Sequence, residues 1–447
     1  MHRSIPARVD AMSELSAAQR ALGPRLYVGQ GWRGPVLAGD GQAVLVLGPP
    51  RSGKTSALVV PNVVVAPGAV VVTSTKPDVL DATVRERARL GTCWLFDPTG
   101  TVMAPPGVRV ARWSPVAASG RWEDALVLTR AVSRSARPAP HQGDGGHWVE
   151  RAEALIAPLL HAAALTGADM RTVSRWILRR ELGEPAAVLA ARGAPVAGDV
   201  LAGLAATEAR ELSGVWSSAA GILAAYRSEA ALSAADAPNL DPATLHSGSD
   251  TVYICAPGDR QDLVAPIVVG FLERARSGAY AAAARHAGRQ LTFVLDEVAN
   301  VAPLPDLPAL VAEGGGQGVS TLACLQDLSQ ARHRWGARAD GFPSLFGVKV
   351  VLPGIGDHAT LELVSRLGGE IDVPVRSVTR GAWYSPGWGA PTTSTTTRRQ
   401  RALPFDQVSH RRPGTALVLA GPAPHGQVNL PPWWEMARGA VEPGLSL

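Results

Sequence analysis

The residues best suited to chemistry form a glycine-rich segment that ends in lysine and threonine. It reads Gly48-Pro49-Pro50-Arg51-Ser52-Gly53-Lys54-Thr55, and Ser56 carries the chain into a helix-forming stretch. Glycines let backbone N–H groups converge on phosphate oxygens, and the positive end of the following helix attracts the same oxygens. Lys54 is expected to reach the β- and γ-phosphates, and Thr55 to ligate Mg²⁺. The segment from Gly48 to Ser56 therefore predicts a phosphate-binding loop for ATP.

A second candidate element is an apolar run that ends in two acids. Residues 291–295 are followed at once by Asp296 and Glu297. On a strand neighbouring the phosphate-binding loop, Asp296 would hold the Mg²⁺ shell through water, and Glu297 would polarise the attacking water as general base. This pairing is the one expected of a site that hydrolyses ATP as well as binding it.

Three further polar residues end apolar runs, and each has two interpretations. Gln326 follows the run 319–325, where it either senses the γ-phosphate or helps Asp327 to cap the next helix. Lys76 either lies near the nucleotide or has a structural role. Asp97 fits a cap or turn better than catalysis. Gln326 is therefore taken as a third candidate catalytic residue, beside Glu297 and Lys54.

The basic residues have an uneven composition and distribution. Of 43 lysines and arginines only three are lysine, at positions 54, 76 and 349, so a retained lysine points to a need for a compact ammonium. Residues 376–412 hold seven arginines and a single acid, Asp406. Within them, 381–397 is typical of a long loop or short hairpin. Arg398, Arg399 and Arg401 either contact phosphates, of nucleic acid or of a neighbouring subunit's nucleotide, or form a solvated face.

These motifs need a scaffold, and the apolar runs predict one. The runs predicted as strands are 43–47, 69–73, 92–96, 251–255, 291–295, 319–325, 348–352 and 415–419. Continuous apolar runs are typical of parallel strands buried on both faces. The helical stretches predicted between them are 55–60, 80–89, 262–287 and 358–367. The expected fold class is α/β, a P-loop domain with a mainly parallel sheet.

The strand pattern disappears in the middle of the chain. Alanine, leucine, glutamate and arginine recur there at helical spacing, and strands resume afterwards. We therefore expect an all-α domain inserted into the α/β domain. The predicted divisions are an N-terminal extension (1–30), the first part of the nucleotide-binding domain (31–117), the insertion (118–245) and the second part (246–447).

Composition narrows the class of protein. With 46% hydrophobic and 18% charged residues the chain is globular, and a net charge of +5 permits an acidic partner without requiring one. Three cysteines beside apolar runs fit buried, reduced thiols. No run reaches the ~18 apolar residues of a spanning helix, and the start lacks a signal-peptide core. We expect a cytoplasmic protein.

Several short segments follow the phosphate-binding loop in a distinctive order and spacing: Pro61-Asn62-Val63, Thr73-Ser74-Thr75-Lys76-Pro77-Asp78, Leu95-Phe96-Asp97-Pro98-Thr99-Gly100, Trp113-Ser114-Pro115, Asp296-Glu297-Val298-Ala299-Asn300, Pro303-Leu304-Pro305, Gly316-Gln317-Gly318, Leu325-Gln326-Asp327-Leu328-Ser329-Gln330 and Trp335-Gly336. In these segments the chain resembles the coupling ATPases of conjugative type IV secretion, the TraG/TraD kind within the FtsK/HerA-type group.

The resemblance implies a RecA-like motor interrupted by an all-α domain. It implies a ring of six that uses ATP and Mg²⁺ to recruit or pump a complex of DNA and relaxase, the DNA being single-stranded, towards the channel of a type IV secretion system. The implied partners are that DNA with its relaxase, the channel components and five further copies of the chain.

Two departures from the family pattern matter. Family members begin with transmembrane helices, and their absence here suggests a variant without them, a shortened chain or a separate membrane-anchoring subunit that holds the protein at the cytoplasmic face. Many relatives also carry a trans-acting arginine where this chain has about Gly315. Arg380 or Arg334 would have to replace it, or hydrolysis is weak.

Two alternatives to a DNA-transfer motor stay open. The first is an ATP-binding substrate receptor or docking protein with little hydrolysis. The second is a DNA translocase of the cell-division type, against which the helical insertion and the lack of a small C-terminal winged helix both argue.

Overall fold

Buried apolar strands form one large sheet, as the sequence predicts. The computed structural model describes residues 11–136, 145–379, 392–421 and 425–436. Its strands are β1 (Tyr27–Gly31), β2 (Gly34–Leu37), β3 (Val44–Leu47), β4 (Val70–Ser74), β5 (Cys93–Phe96), β6 (Arg109–Val110), β7 (Thr251–Cys255), β8 (Leu291–Leu295), β9 (Val319–Leu325), β10 (Val348–Val351), β11 (Glu370–Thr379), β12 (Thr392–Arg401), β13 (Thr415–Ala420) and β14 (Gly426–Asn429).

Twelve of these strands make the main sheet, in the order β2-β1-β14-β13-β10-β3-β9-β8-β4-β7-β5-β6. From β10 to β6 every neighbouring pair is parallel. From β2 to β10 the pairs are antiparallel. The expectation of a mainly parallel sheet is therefore confirmed, although the predicted strand 415–419 runs antiparallel to its neighbours.

The central strands of the sheet are buried on both faces. Successive side chains of a strand point to opposite sides of the sheet. In β3, Leu45 and Leu47 pack into one apolar core, while Val44 and Val46 pack into the other. A strand that must be apolar on both sides has no polar alternation. This is why the sequence shows continuous apolar runs there.

Helices cover both faces and fill the middle of the chain. They are α1 (Ala11–Leu22), α2 (Val60–Val65), α3 (Asp78–Arg87), α4 (Trp122–Ser135), α5 (Gly145–Thr166), α6 (Met170–Arg179), α7 (Gly183–Ala191), α8 (Pro195–Ala205), α9 (Ala209–Ile222), α10 (Glu229–Ala234), α11 (Gln261–Ala283), α12 (Val298–Val301), α13 (Leu307–Glu313), α14 (Leu328–Trp335), α15 (Phe342–Leu345), α16 (His358–Leu367), α17 (Phe405–Ser409) and α18 (Trp433–Met436).

Between β6 and β7 the described residues form helices and turns without a strand, so the fold is a RecA-like α/β domain interrupted by an all-α insertion. Helix α4 of the insertion packs closely on α11. A Cβ added at Gly270 of α11 would lie only 3.2 Å from the Val132 side chain and 3.3 Å from the Leu128 side chain of α4. Arg274 of α11 also forms ion pairs of 3.2 Å with Asp124 and 3.1 Å with Asp241. The insertion is thus anchored to the helix that follows β7.

The described part of the chain includes no helix with both the length and the apolar character needed to cross a bilayer. Its three cysteines, Cys93, Cys255 and Cys324, are all buried and unpaired, as expected. Burial raises the pKa of the Cys255 thiol to about 12. These thiols have no exposed, electropositive environment that would make them reactive.

Candidate nucleotide-binding site

The phosphate-binding loop lies at the carboxyl end of β3, in the middle of the sheet. The Gly48 N–H donates to the Leu325 carbonyl of β9 at 3.1 Å, which fixes the loop to the next strand. A Cβ on Gly48 would lie 3.0 Å from the Leu352 Cβ and 2.8 Å from the Ser52 Oγ, so glycine is required there. The predicted motif is therefore a tight loop built against its neighbours.

The loop's polar groups converge on its interior. The buried Lys54 Nζ donates to the carbonyls of Gly48 at 2.5 Å and Pro49 at 2.9 Å. The Ser52 Oγ is buried and has no hydrogen-bond partner among the described residues. Arg51 and Gly53 have positive φ angles of 62° and 95°, a backbone form that turns successive N–H groups toward one point. An orphaned hydroxyl, an ammonium and converging amides suit a polyphosphate.

Helix formation begins directly after the loop. Thr55–Val59 is a π-helical turn that continues into α2, and the Ala57 N–H donates to the Gly53 carbonyl at 2.9 Å. Ser56 lies on this first turn, and its hydroxyl donates to the Gly53 carbonyl at 3.3 Å. The loop therefore opens onto a helix amino terminus, as the motif predicts.

Asp296, at the end of β8, meets the loop directly. The Thr55 Oγ1 donates to the Asp296 Oδ2 at 2.8 Å, across 241 positions of sequence. The Thr73 Oγ1 of β4 donates to the Asp296 carbonyl at 3.0 Å and holds the strand end in place. Burial raises the pKa of Asp296 to about 6, and nearby Glu297 adds to this while the Thr55 hydrogen bond opposes it. A hydroxyl and a carboxylate at this distance can share one Mg²⁺ shell.

Glu297 has an unusual backbone. Its φ and ψ are 54° and 47°, the left-handed region that a non-glycine residue rarely adopts. Its side chain is half-buried, and Asn300 Nδ2 donates to Glu297 Oε2 at 3.4 Å. Observed strain of this kind clusters at functional sites. The turn separates the two acids, with Asp296 buried and Glu297 partly open to solvent.

Gln326 lies at the same edge of the sheet, at the end of β9. The cap of α14 is made by Asp327, whose Oδ1 accepts from the backbone N–H groups of Ser329 at 2.9 Å and Gln330 at 3.3 Å. The Gln326 N–H donates to the Gln330 Oε1 at 2.9 Å. Its half-buried carboxamide has no partner within the described part of the chain, and so it is free to contact a ligand.

The order of strands differs in one respect from expectation. The acidic pair was expected on a strand neighbouring the phosphate-binding loop, but β9 lies between β3 and β8. Gln326 therefore sits between the loop and the two acids. Strand order depends on long-range pairing, which the spacing of motifs along the chain does not encode.

Of the other candidates, Asp97 takes a structural role, and the role of Lys76 stays a prediction. Asp97 caps a turn, its carboxylate accepting from the N–H groups of Thr99, Thr101 and Val102 at 2.7 to 2.8 Å. Lys76 is exposed after β4. Within the described ranges no group of three or more His, Cys, Asp or Glu residues could hold a metal by itself.

The turn where relatives carry a trans-acting arginine has no room for a side chain at Gly315. A Cβ there would lie 2.0 Å from the Gly41 carbonyl oxygen. Of the two replacements considered, Arg334 is half-buried and donates to the Ser135 carbonyl at the end of α4, and burial lowers its pKa. Arg380 lies outside the described residues.

Three contacts around the site were not predicted from the sequence. Thr73 and Asn300 support the two acids, and both occur in the segments on which the family resemblance rests. The contact between Gly41 and Gly315 has no sequence signal, because these two glycines are far apart along the chain.

Comparison with known proteins agrees with this arrangement. A family model described as "Type IV secretory system Conjugative DNA transfer" matches residues 9–410. No curated protein matches the chain.

Solved structures share the fold at low sequence identity. The unbound bacterial conjugative coupling protein TrwBdeltaN70 is 18% identical, with a TM-score of 0.69 over 94% of this chain and 91% of that one. The plasmid coupling protein TrwB in complex with ADP and Mg²⁺ is 19% identical, with a TM-score of 0.66 over 88% of this chain and 85% of that one. VirB4 of Thermoanaerobacter pseudethanolicus is 13% identical, with a TM-score of 0.51 over 92% of this chain and 96% of that one.

Proposed function

The chain belongs to the type IV secretory system conjugative DNA transfer family, and from that premise we propose that it is an ATP-driven coupling protein that recruits and pumps DNA with its relaxase towards the secretion channel. The observation that carries the proposal is the 2.8 Å hydrogen bond between Thr55 and Asp296. It joins the phosphate-binding loop to the acidic strand end and so assembles one site from two distant segments.

The residues of this site divide the work of nucleotide hydrolysis. Lys54, Ser52 and the loop amides bind the phosphates, and a bound Mg²⁺ would be held by Thr55 and, through water, by Asp296. When bound, Mg²⁺ neutralises charge on the phosphate oxygens. Glu297 accepts a proton from water at its solvent-facing carboxylate, and Gln326 hydrogen-bonds the γ-phosphate. The coupling protein TrwB, which shares this fold, has been solved in complex with ADP and Mg²⁺, and this supports the same pair of ligands here.

The test is steady-state ATP hydrolysis without DNA, with single-stranded DNA and with double-stranded DNA. For a pump we expect DNA to raise turnover several-fold, since DNA completes the working complex. If ATP binds and turnover ignores both forms of DNA, the pumping function is contradicted. Which form of DNA stimulates more strongly identifies the strand preference.

A substrate receptor with little hydrolysis is the second candidate, and the contact between Gly315 and Gly41 favours it. A transition state without an arginine is less well stabilised. An intrinsic GTPase that lacks its arginine turns over at less than about 0.001 per second. ATP turnover that stays below this rate, both without DNA and with either form of DNA, would favour the receptor function.

We further propose that the working unit is a ring of six at the cytoplasmic face of the membrane, held there by channel components or a separate anchoring subunit. The family match and the RecA-like fold support this assembly. Mass measurement with ATP and DNA should give six subunits, whereas a monomer under all these conditions would contradict it.

A further inference from the structure

One feature of the fold takes no part in the nucleotide site: a two-stranded ribbon formed by β11 and β12. The strands pair antiparallel over ten positions, from Glu370 opposite Arg401 to Thr379 opposite Thr392. At about 3.3 Å per residue, ten residues span roughly 33 Å. The main sheet does not include either strand. The ribbon therefore extends from the α/β domain as a separate arm.

The arm is exposed on both faces. Every described side chain from residues 370–378 and 393–401 is exposed except that of Val373, which is half-buried. An isolated two-stranded hairpin is marginally stable in water. Exposed Val375 and Val378, at 40% and 55% of their full accessible area, add an apolar surface. Such an arm gains order when a partner covers it.

Two arginines of the arm make contacts at the base of the ribbon. Arg401 lies over the Phe405 ring at 4.8 Å and donates to the Ser365 Oγ at 3.4 Å, so it ties the ribbon to α16 and α17. Arg399 pairs with Glu370 at 2.9 Å. These two arginines stabilise the base of the ribbon.

The arm holds two more arginines, at positions 376 and 398, and these have no ion pair in the described structure. Arg376 lies opposite Thr395 and Arg398 lies opposite Val373, and the two fall on opposite faces, since side chains of a strand alternate between faces. Residues 392–397 are all serine or threonine. Guanidinium and hydroxyl groups are among the donors to phosphate oxygens in protein–DNA complexes.

The positive charge of residues 373–405 favours a polyanion as the partner of the ribbon. From residue 373 to residue 405 the sequence has five arginines and no acid. A polyanion therefore meets no repulsive group along the outer ribbon, whereas a typical protein surface of mixed charge would leave the arginines poorly matched. A two-stranded ribbon also fits the B-DNA major groove, which is about 12 Å wide.

We propose that the ribbon formed by β11 and β12 is a nucleic-acid-binding arm, in which Arg376, Arg398 and the hydroxyl groups of β12 contact the phosphate backbone. The inference rests on the proposed DNA-transfer function and gives it a surface outside the nucleotide site. The contacts are to phosphates, so the arm binds without reading base sequence.

The experiment measures the affinity of the full chain for fluorescent single- and double-stranded DNA between about 50 and 200 mM salt. Arg376→Ala with Arg398→Ala should weaken binding at least tenfold. It should also reduce the slope of log affinity against log salt by about 1.8 for duplex or about 1.4 for single strands, as two lost phosphate contacts require. Arg376→Lys with Arg398→Lys should keep most of the slope, because the positive charges are retained.

A matched control changes two exposed arginines on other elements, Arg85→Ala with Arg192→Ala, and should leave the slope unchanged. Thermal melting checks that each variant folds. If the ribbon variant binds DNA like the parent while DNA still stimulates the parent's ATP hydrolysis, the arm is refuted and the proposed function stands. If the variant changes subunit assembly and not DNA affinity, the ribbon is a contact between copies. If the parent binds no DNA, the proposed function fails as well.

Discussion

At the residue scale, the site depends on a carboxyl group that the fold keeps away from water. Asp296 is buried, and its pKa is raised to about 6 from an ordinary 3.8. Its neutral form is therefore favoured in the nucleotide-free protein more than in the unfolded chain. Protons and Mg²⁺ compete for this group, which ties metal binding to pH.

This shift has a definite sign in stability measurements. Between about pH 4 and pH 6 the folded protein binds more protons at Asp296 than the unfolded chain, so this residue's contribution to the free energy of unfolding falls as pH rises. The full difference is on the order of 3 kcal/mol. Denaturant unfolding without nucleotide, from pH 4.5 to 7.5, should show Asp296→Asn gaining stability relative to the parent as pH increases. A constant difference across this range would refute the shift.

The Gly315 turn gives a second prediction at this scale. Gly315→Ala should destabilise the protein by about 2 kcal/mol, because the new Cβ meets backbone atoms of Gly41 that cannot rotate away. The adjacent Gly316 has nothing within 4 Å of its Cβ position, so Gly316→Ala is the matched control and should be neutral or slightly stabilising. Equal effects in denaturant unfolding would show that the contact is not tight.

Sequence reasoning was strong for residues whose motif has its own local geometry. The phosphate-binding loop is one continuous segment of eight residues that includes its glycines, Lys54 and Thr55. Its local geometry can therefore be predicted from the sequence alone. By contrast, the Ser52 hydroxyl is buried without a hydrogen-bond partner among the described residues. This property depends on the residues that surround the loop and could not be predicted from the motif. The roles of Lys54, Thr55, Asp296, Glu297 and Gln326 all stay predictions, since they concern a bound nucleotide and its Mg²⁺.

At the element scale, a single buried arginine connects a helix to the two chain segments that lead into the neighbouring strands β4 and β7. Arg87 of α3 donates to the Thr251 Oγ1 at 2.7 Å and to the carbonyls of Ala66, Gly68 and Ser249 at 2.5 to 3.1 Å. Its side chain is completely buried. The planar fork satisfies acceptors that a lysine cannot all reach.

We therefore expect Arg87→Lys to lower the free energy of unfolding by about 3 kcal/mol, because buried carbonyls lose their donors. Arg85→Lys, at an exposed position of the same helix, should stay within about 0.5 kcal/mol of the parent. Denaturant unfolding of the two variants measures the difference. An Arg87→Lys protein as stable as the parent would show that the fork is replaceable.

The strands that are most fully buried were the ones predicted from the sequence. All eight predicted strands exist, because apolar runs with two buried faces have a strong pattern. Strands β1, β2, β6 and β14 were not predicted, since they lie towards the sheet edges and are less fully buried than the strands that were. Of the predicted loop or hairpin 381–397, residues 392–397 lie in strand β12, whose exposed, hydroxyl-rich sequence has no apolar pattern, and residues 381–391 lie outside the described part of the chain.

At the scale of the whole molecule, the α/β domain and the insertion are linked through α11. This helix packs against α4 and carries Arg274, and it begins at Gln261, soon after β7 ends at Cys255. The domain boundaries at 118 and 245 remain predictions, although the described residues between β6 and β7 form helices and turns.

Above all, we propose that the phosphate-binding loop and the end of β8 form one site of ATP hydrolysis. ATP affinity and turnover, measured side by side, test it most directly in the parent, Lys54→Ala, Glu297→Gln and the control Glu313→Gln, an exposed acid outside the site. We predict that Lys54→Ala weakens ATP binding roughly 10- to 100-fold. Glu297→Gln should bind ATP normally and lose at least about 100-fold in turnover, with the control unchanged. A Glu297→Gln protein that hydrolyses ATP at the parental rate would contradict the account.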